Sequence, residues 1–386
     1  MKKVKIFVAA MMAVMAILSF AACGDKCANG HSYGEWTVTV AATCTEDGTE
    51  TRKCSVCDKE ETRPIAKLGH NYGDPVYAER DGKLVAVSKC SRCDVEDVKK
   101  VENGVAVRTW DELATAVKTN NAYIVLMNDI AKVGATDFNI RPDRSDLKLT
   151  IDLNGNTIGA EVNTCTTWKN VPDCGYNLTV KILNGNIGTA NGYITSEESE
   201  GNKIWYGILL DGKRVNLTVE RVNMIGYYGG FYTNGANAGS TVRMSDCKIK
   251  GANAAFGASY LAGGHTVTFD RCTFEGGFGL YVKSGNVTLN DCAVRAIGAY
   301  EQPKYHGSGA DACGSGIVVD SVEGYNIESL TFAMNRGSIT STYGYAFEQV
   351  VTKGVNYSNS TLNGVNMTAG KEPKVFVTTE GSVTVK

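Results

Sequence analysis

The stretch Asn216-Leu-Thr-Val-Glu-Arg-Val222-Asn-Met-Ile-Gly226 recurs as Thr241-Val-Arg-Met-Ser-Asp-Cys247-Lys-Ile-Lys-Gly251. It returns as Thr266-Val-Thr-Phe-Asp-Arg-Cys272-Thr-Phe-Glu-Gly276 and as Asn286-Val-Thr-Leu-Asn-Asp-Cys292-Ala-Val-Arg-Ala296, with starts 25, 25 and 20 residues apart. Within each copy apolar and polar positions alternate except at a two-residue corner, so each copy predicts two short strands around a bend with one buried face. A second signal interleaves with the first: Gly207-Ile-Leu-Leu, Gly230-Phe-Tyr, Ala255-Phe, Gly279-Leu-Tyr-Val, Gly316-Ile-Val-Val and Gly344-Tyr-Ala-Phe. It predicts a third strand in every turn of the chain.

Three strands per 20 to 25 residues, with no helix between them, predict a parallel β-solenoid whose coils bury their apolar faces only by stacking. Equivalent residues then lie above one another, about 4.8 Å apart. Cys247, Cys272 and Cys292 become an internal column of buried thiols acting as small hydrophobes. Leu153-Asn154, Leu183-Asn184, Met334-Asn335 and Leu362-Asn363 suggest a second column of corner Asn residues, which tolerate the left-handed conformation. These rungs and columns resemble the right-handed parallel β-helix proteins of the pectin-lyase-like superfamily over residues 122 to 386. The resemblance implies an all-β fold, a right-handed parallel β-helix with an N-terminal capping helix.

The ends of the chain divide it further. Residues 1 to 22 read as a signal peptide, with Lys2, Lys3 and Lys5 before an apolar run from Ile6 to Ala22. Phe20-Ala-Ala-Cys23 resembles a bacterial lipobox, which implies lipidation of Cys23 and a membrane-anchored, extracytoplasmic protein; ordinary signal cleavage is the alternative. The 386-residue chain has a formal charge of −2, and losing those three lysines leaves −5, which argues against nucleic acid as a partner. A monomer is expected.

Residues 23 to 100 form a small Cys/His-rich module and spacer. His31-Ser-Tyr-Gly recurs as His70-Asn-Tyr-Gly and Cys54-Ser-Val-Cys57 as Cys90-Ser-Arg-Cys93. The first copy, with Ala42-Thr-Cys44 and Leu68-Gly-His70, resembles a short repeat of cell-surface proteins in anaerobic Gram-positive bacteria. Cys44, Cys54, Cys57 and His70 offer the ligands of a closed zinc site, and a module this small needs a staple. Alternatives are a four-cysteine ribbon of Cys54, Cys57, Cys90 and Cys93, or disulfides, which export favours. Cys165 and Cys174 bracket a loop and are read as a disulfide.

From residue 101 to 386 the solenoid is expected. Val101 to Arg108 reads as a link, and Thr109-Trp-Asp-Glu112 as a capping box opening an amphipathic helix over 110 to 119 that covers the first coil. Insertions are expected at Ala160–Tyr176, Thr189–Tyr206 and Gly298–Ser315. Trp205, Tyr206, Tyr300 and Tyr305 supply rings that stack on sugars, and Glu301, His306 and Asp311 supply polar contacts. Asp246, Asp270 and Asp291 fall near successive corners, but Asp270 is one position out of register and Arg271 and Arg243 alternate with them, which reads as surface pairing. No catalytic set follows from these residues. The expectation is a non-catalytic binder of a polysaccharide or cell-surface glycan; the alternative is a polysaccharide lyase or glycoside hydrolase.

Overall fold

The computed structural model describes residues 27, 30–131, 137–143, 146–166, 174–233, 239–304, 314–323, 330–354, 358–377 and 382–386. Cys23 and residues 1–22, and Tyr305, His306 and Asp311, lie outside these. By its contacts the chain forms two units. One comprises residues up to Pro75 with Ser88–Asp97, and the other Val76–Val87 with Val98–Lys386. The second unit therefore takes in a hairpin, Val76–Val87, that precedes residue 100.

The larger unit is a right-handed parallel β-helix. Among the described residues its strands form one fifteen-stranded and one nine-stranded sheet, every solenoid rung pairing in parallel with the next. The four quoted copies stack in register: Val219 on Met244, Met244 on Phe269, Phe269 on Leu289. Their third strands, Tyr206–Asp211, Gly229–Thr233, Ser259–Leu261, Leu280–Val282, Ile317–Val322 and Phe347–Lys353, stack in the nine-stranded sheet. Two of these begin later than the sequence suggested. After Ala255-Phe256 the strand starts only at Ser259, and after Gly344 only at Phe347. One continuous core runs from Val107 to Leu362.

At the first coil the expected link is itself a rung, since Gly104–Val107 pairs in parallel with Ala122–Leu126. The helix runs Trp110–Ala116, with Thr109 and Glu112 forming the reciprocal capping box and Leu113 and Ala116 buried in the core. The first expected insertion also begins as a rung: Glu161–Cys165 pairs with Tyr206–Asp211. Cys165 ends that strand, and the Cys174 N–H donates to the Thr166 carbonyl at 3.1 Å.

The corner of each rung is left-handed at Asn184, Arg221, Asp246, Arg271, Asp291 and Arg336, with φ between 53° and 61°. Side-chain bonds along the stack accompany these unfavourable conformations. Arg221 donates to Asn184, Arg271 grips Asp246 through two bonds of 2.8 and 2.7 Å, and Arg336 grips Asp291 through two of 2.6 Å. Asp270 stands one position earlier, as its register implied, and accepts from Asn290 in a run continued by Asn335 and Asn363. Asn154 and Asn184 are left-handed as expected. At the other two corners the left-handed residue is the next one, Arg336 or Gly364. Just inward lies the column Cys247, Cys272 and Cys292, each at most 1 % exposed.

Candidate functional sites

The smaller unit contains a three-stranded antiparallel sheet, Thr37–Val40, Gly48–Lys53 and Glu60–Ile65. Each Cys-x-x-Cys forms a tight turn. The Cys54 N–H donates to the Lys59 carbonyl and the Cys90 N–H to the Val95 carbonyl, while Asp58 and Asp94 are left-handed at φ 58° and 57°. The flanking His-x-Tyr-Gly segments dock in the same way, Ser55 N–H to Ser32 and Ser91 N–H to Asn71.

These turns bring together two groups of ligands, Cys27, His31, Cys54 and Cys57, and Cys44, His70, Cys90 and Cys93, each with its ligand atoms within 4.8 Å of one another. The Cys27 and Cys54 sulfurs are 3.8 Å apart, as are those of Cys44 and Cys90. His31 Nδ1 lies 3.3 Å from Cys57 Sγ, and His70 Nδ1 3.2 Å from Cys93 Sγ. Cys44, Cys54, Cys57 and His70, expected as one set, are thus divided. Cys44 and His70 join the second Cys-x-x-Cys, and Cys54 and Cys57 join Cys27 and His31. Either group could hold a metal ion.

Backbone N–H groups prepare these sulfurs for the thiolate form. The Val56 N–H leads the groups that lower the Cys54 thiol to about 6. Burial pushes Cys90 up, but the N–H groups of Arg92 and Asn71, 3.5 and 3.4 Å from its sulfur, help bring it down to about 6. The partner cysteines go the other way. Burial leads in raising Cys27 to about 12, and a hydrogen bond with Cys93 leads in raising Cys44 to about 12.

On the solenoid the nine-stranded sheet alternates faces. Ile208, Phe231, Leu280, Ile317 and Phe347 point into the core, and the residues after Phe231, Leu280, Ile317 and Phe347 form a second column. Tyr232 pairs with Tyr260, Tyr260 with Tyr281, Tyr281 with Val318, and Val318 with Glu348. At one end of this column Tyr206 stacks on Tyr232 at 4.3 Å, and Tyr232 on Tyr260 at 4.7 Å. Trp205 stacks on Tyr228 at 5.0 Å, and Tyr228 meets Phe256 edge-on at 4.2 Å. Trp205, Tyr206, Tyr228, Tyr232 and Phe256 are all half-buried, which leaves ring surface to solvent.

At the other end Tyr300 donates to Glu348 at 3.1 Å, and Lys371 lies 3.7 Å over the Tyr300 ring. Tyr300 therefore shares this face with Trp205 and Tyr206 but does not touch them; Glu301 is exposed beside it. The same end gathers carboxylates that the sequence had not suggested. Asp320 accepts from Tyr281 at 2.6 Å and from the Thr352 N–H and hydroxyl, and Glu348 also accepts from Ser315 at 2.7 Å. Lys283 lies 5.1 Å from the Tyr260 ring centre. Burial raises both carboxyls above their usual range. The signal was present as Gly316-Ile-Val-Val-Asp320 and Tyr345-Ala-Phe-Glu348, where an acid closes an apolar run.

The family described as "Right handed beta helix region" matches residues 186–310, a stretch that includes all four quoted copies. No curated protein matches the chain.

Proposed function

We propose that this is an exported, surface-anchored β-helix that binds a carbohydrate or surface polymer through the aromatic face around Trp205, Tyr206, Tyr228 and Tyr232, with the small N-terminal unit as its spacer. The observation that carries the reading is this half-exposed cluster of stacked rings on one face of a rigid sheet. Flat rings held in place by their neighbours bind sugar faces with little loss of side-chain freedom. Stacking plus a few hydrogen bonds gives dissociation constants in the micromolar to millimolar range, about −4 to −8 kcal/mol. The test is a glycan array followed by Trp205→Ala. The variant should lose retention on the preferred glycan while its melting temperature stays within a few degrees. Retention unchanged by Trp205→Ala contradicts the aromatic face as the binding surface.

Asp320 and Glu348 favour a second reading, a glycoside hydrolase or polysaccharide lyase, because a buried carboxyl that holds its proton above the usual range is what a general acid requires. Reducing-sugar and unsaturated-product assays on neutral and uronic-acid polymers decide between the two readings. Turnover abolished by Asp320→Asn would establish the second.

A further inference from the structure

We propose that the small unit binds two zinc ions, each held by three cysteines and one histidine, the second of them shared between the two copies of the sequence repeat through Cys44. One site is Cys27, His31, Cys54 and Cys57, and the other is Cys44, His70, Cys90 and Cys93.

Three independent features carry this. The first is geometry. A tetrahedral site with zinc–sulfur distances of about 2.3 Å sets neighbouring sulfurs about 3.8 Å apart, and the Cys27–Cys54 and Cys44–Cys90 separations are 3.8 Å. The second is the ligand count: three sulfurs and one imidazole complete a closed structural zinc site, whereas three thiols can form only one disulfide and leave one over. The third is that the described residues of this unit form no other core. Among the described residues of this unit the buried ones are Cys44, Gly48, Cys54 and Cys90, while Val38, Val40, Val56 and Leu68 are exposed. A unit whose buried side chains, among those described, are cysteines draws its stability from whatever their sulfurs bind.

The grouping has a consequence for how the repeats connect. The motif as written pairs Cys44 and His70 with the Cys-x-x-Cys lying between them at Cys54 and Cys57. In the fold that Cys-x-x-Cys turns back to Cys27 and His31, and Cys44 and His70 reach forward to Cys90 and Cys93. With His31 recurring as His70 and Cys54-x-x-Cys57 as Cys90-x-x-Cys93, the first ion closes one copy on itself, and the second ties Cys44 of that copy to the His70, Cys90 and Cys93 of the next.

The test is metal analysis of the full chain purified without chelator, by elemental mass spectrometry with X-ray absorption at the zinc edge. Two zinc ions per chain are expected, in an averaged shell of three sulfurs and one nitrogen. Cys54→Ser combined with Cys57→Ser should remove one of the two ions, and Cys90→Ser the other. Cys44→Ser should behave as Cys90→Ser does and leave the Cys54 site loaded. His70→Cys should keep both ions with a richer sulfur shell, which separates loss of a ligand from loss of folding. A single ion that survives Cys90→Ser but is lost with Cys44→Ser would establish the within-copy set and overturn the proposal. So would a metal-free chain whose non-reduced mass shows disulfides among these six cysteines.

Discussion

The two units reach order by opposite routes. In the solenoid, apolar side chains from rung after rung meet in one core, with Val107, Ile151, Val219, Phe269, Met334 and Leu362 among its buried members. In the small unit the sheet is flanked by exposed contacts instead. Arg52 and Arg63 lie over the Trp36 ring at 4.6 and 4.2 Å, and the same arginines pair with Glu61 and Glu50. Such exposed ion pairs and ring contacts contribute only about 0.2–1 kcal/mol each. Chain entropy costs about 1–2 kcal/mol per ordered residue. The difference sets a solenoid with one continuous apolar core against a unit whose buried side chains, among the described residues, are cysteines.

Within the solenoid the sharpest way to break the comparison is to open the core at a central rung. Phe269 is fully buried and meets Phe231 at 6.2 Å and Phe274 at 4.9 Å. Phe269→Ala should cost about 3–5 kcal/mol in denaturant unfolding of the solenoid and leave metal content unchanged. The cysteine column gives a smaller step. Cys272→Ala should cost about 1 kcal/mol and Cys272→Asp several times that, because a buried carboxylate has no partner there. The hydrogen bond with Cys247 leads in pushing the Cys272 thiol up, so it should resist polar thiol reagents at neutral pH while the chain is folded.

The smallest effect is expected at the corners. Arg271 and Arg336 hold the carboxyls of Asp246 and Asp291 below the usual range. A carboxyl depressed in the folded state contributes stability that is present above its unfolded value, about 3.9, and is lost as pH falls through the folded value. Asp320 and Glu348 act in the reverse sense. Their raised carboxyls contribute stability below the unfolded values, lost as pH rises through the folded ones. Arg271→Gly removes one pair but relieves a left-handed non-glycine corner, so the melt at pH 7 should shift little while the acid limb flattens. An acid limb unchanged from the wild type would show that the corner pairs contribute nothing measurable.

How much of this was legible follows from the same contrast. Core positions keep the same apolar pattern from rung to rung, so the four copies and the cysteine column could be read directly, and the Thr109–Glu112 capping box marked the helix. The left-handed corner was legible only in part, because Asn marks it at two rungs while Asp and Arg occupy it at five others. The carboxylates at Asp320 and Glu348 were legible only as an acid closing an apolar run, with nothing to mark them as neighbours. They share a face only through the third strands, which loops of unequal length separate, and each sits in a run that reads as core. The Cys and His residues were legible as ligand types, but their grouping depends on which copy each turn folds toward, and spacing alone carries no such direction.

The central claim is that bound metal holds the small unit and stacking holds the solenoid. Hydrogen exchange on the full chain, before and after zinc removal by a strong chelator under reducing conditions, tests it most directly. The account predicts that amides of residues 30–75 and 88–97 lose their protection while those of Val215–Gly226 and Asn286–Ala296 keep theirs. Protection of residues 30–75 that persists after complete zinc removal would contradict it.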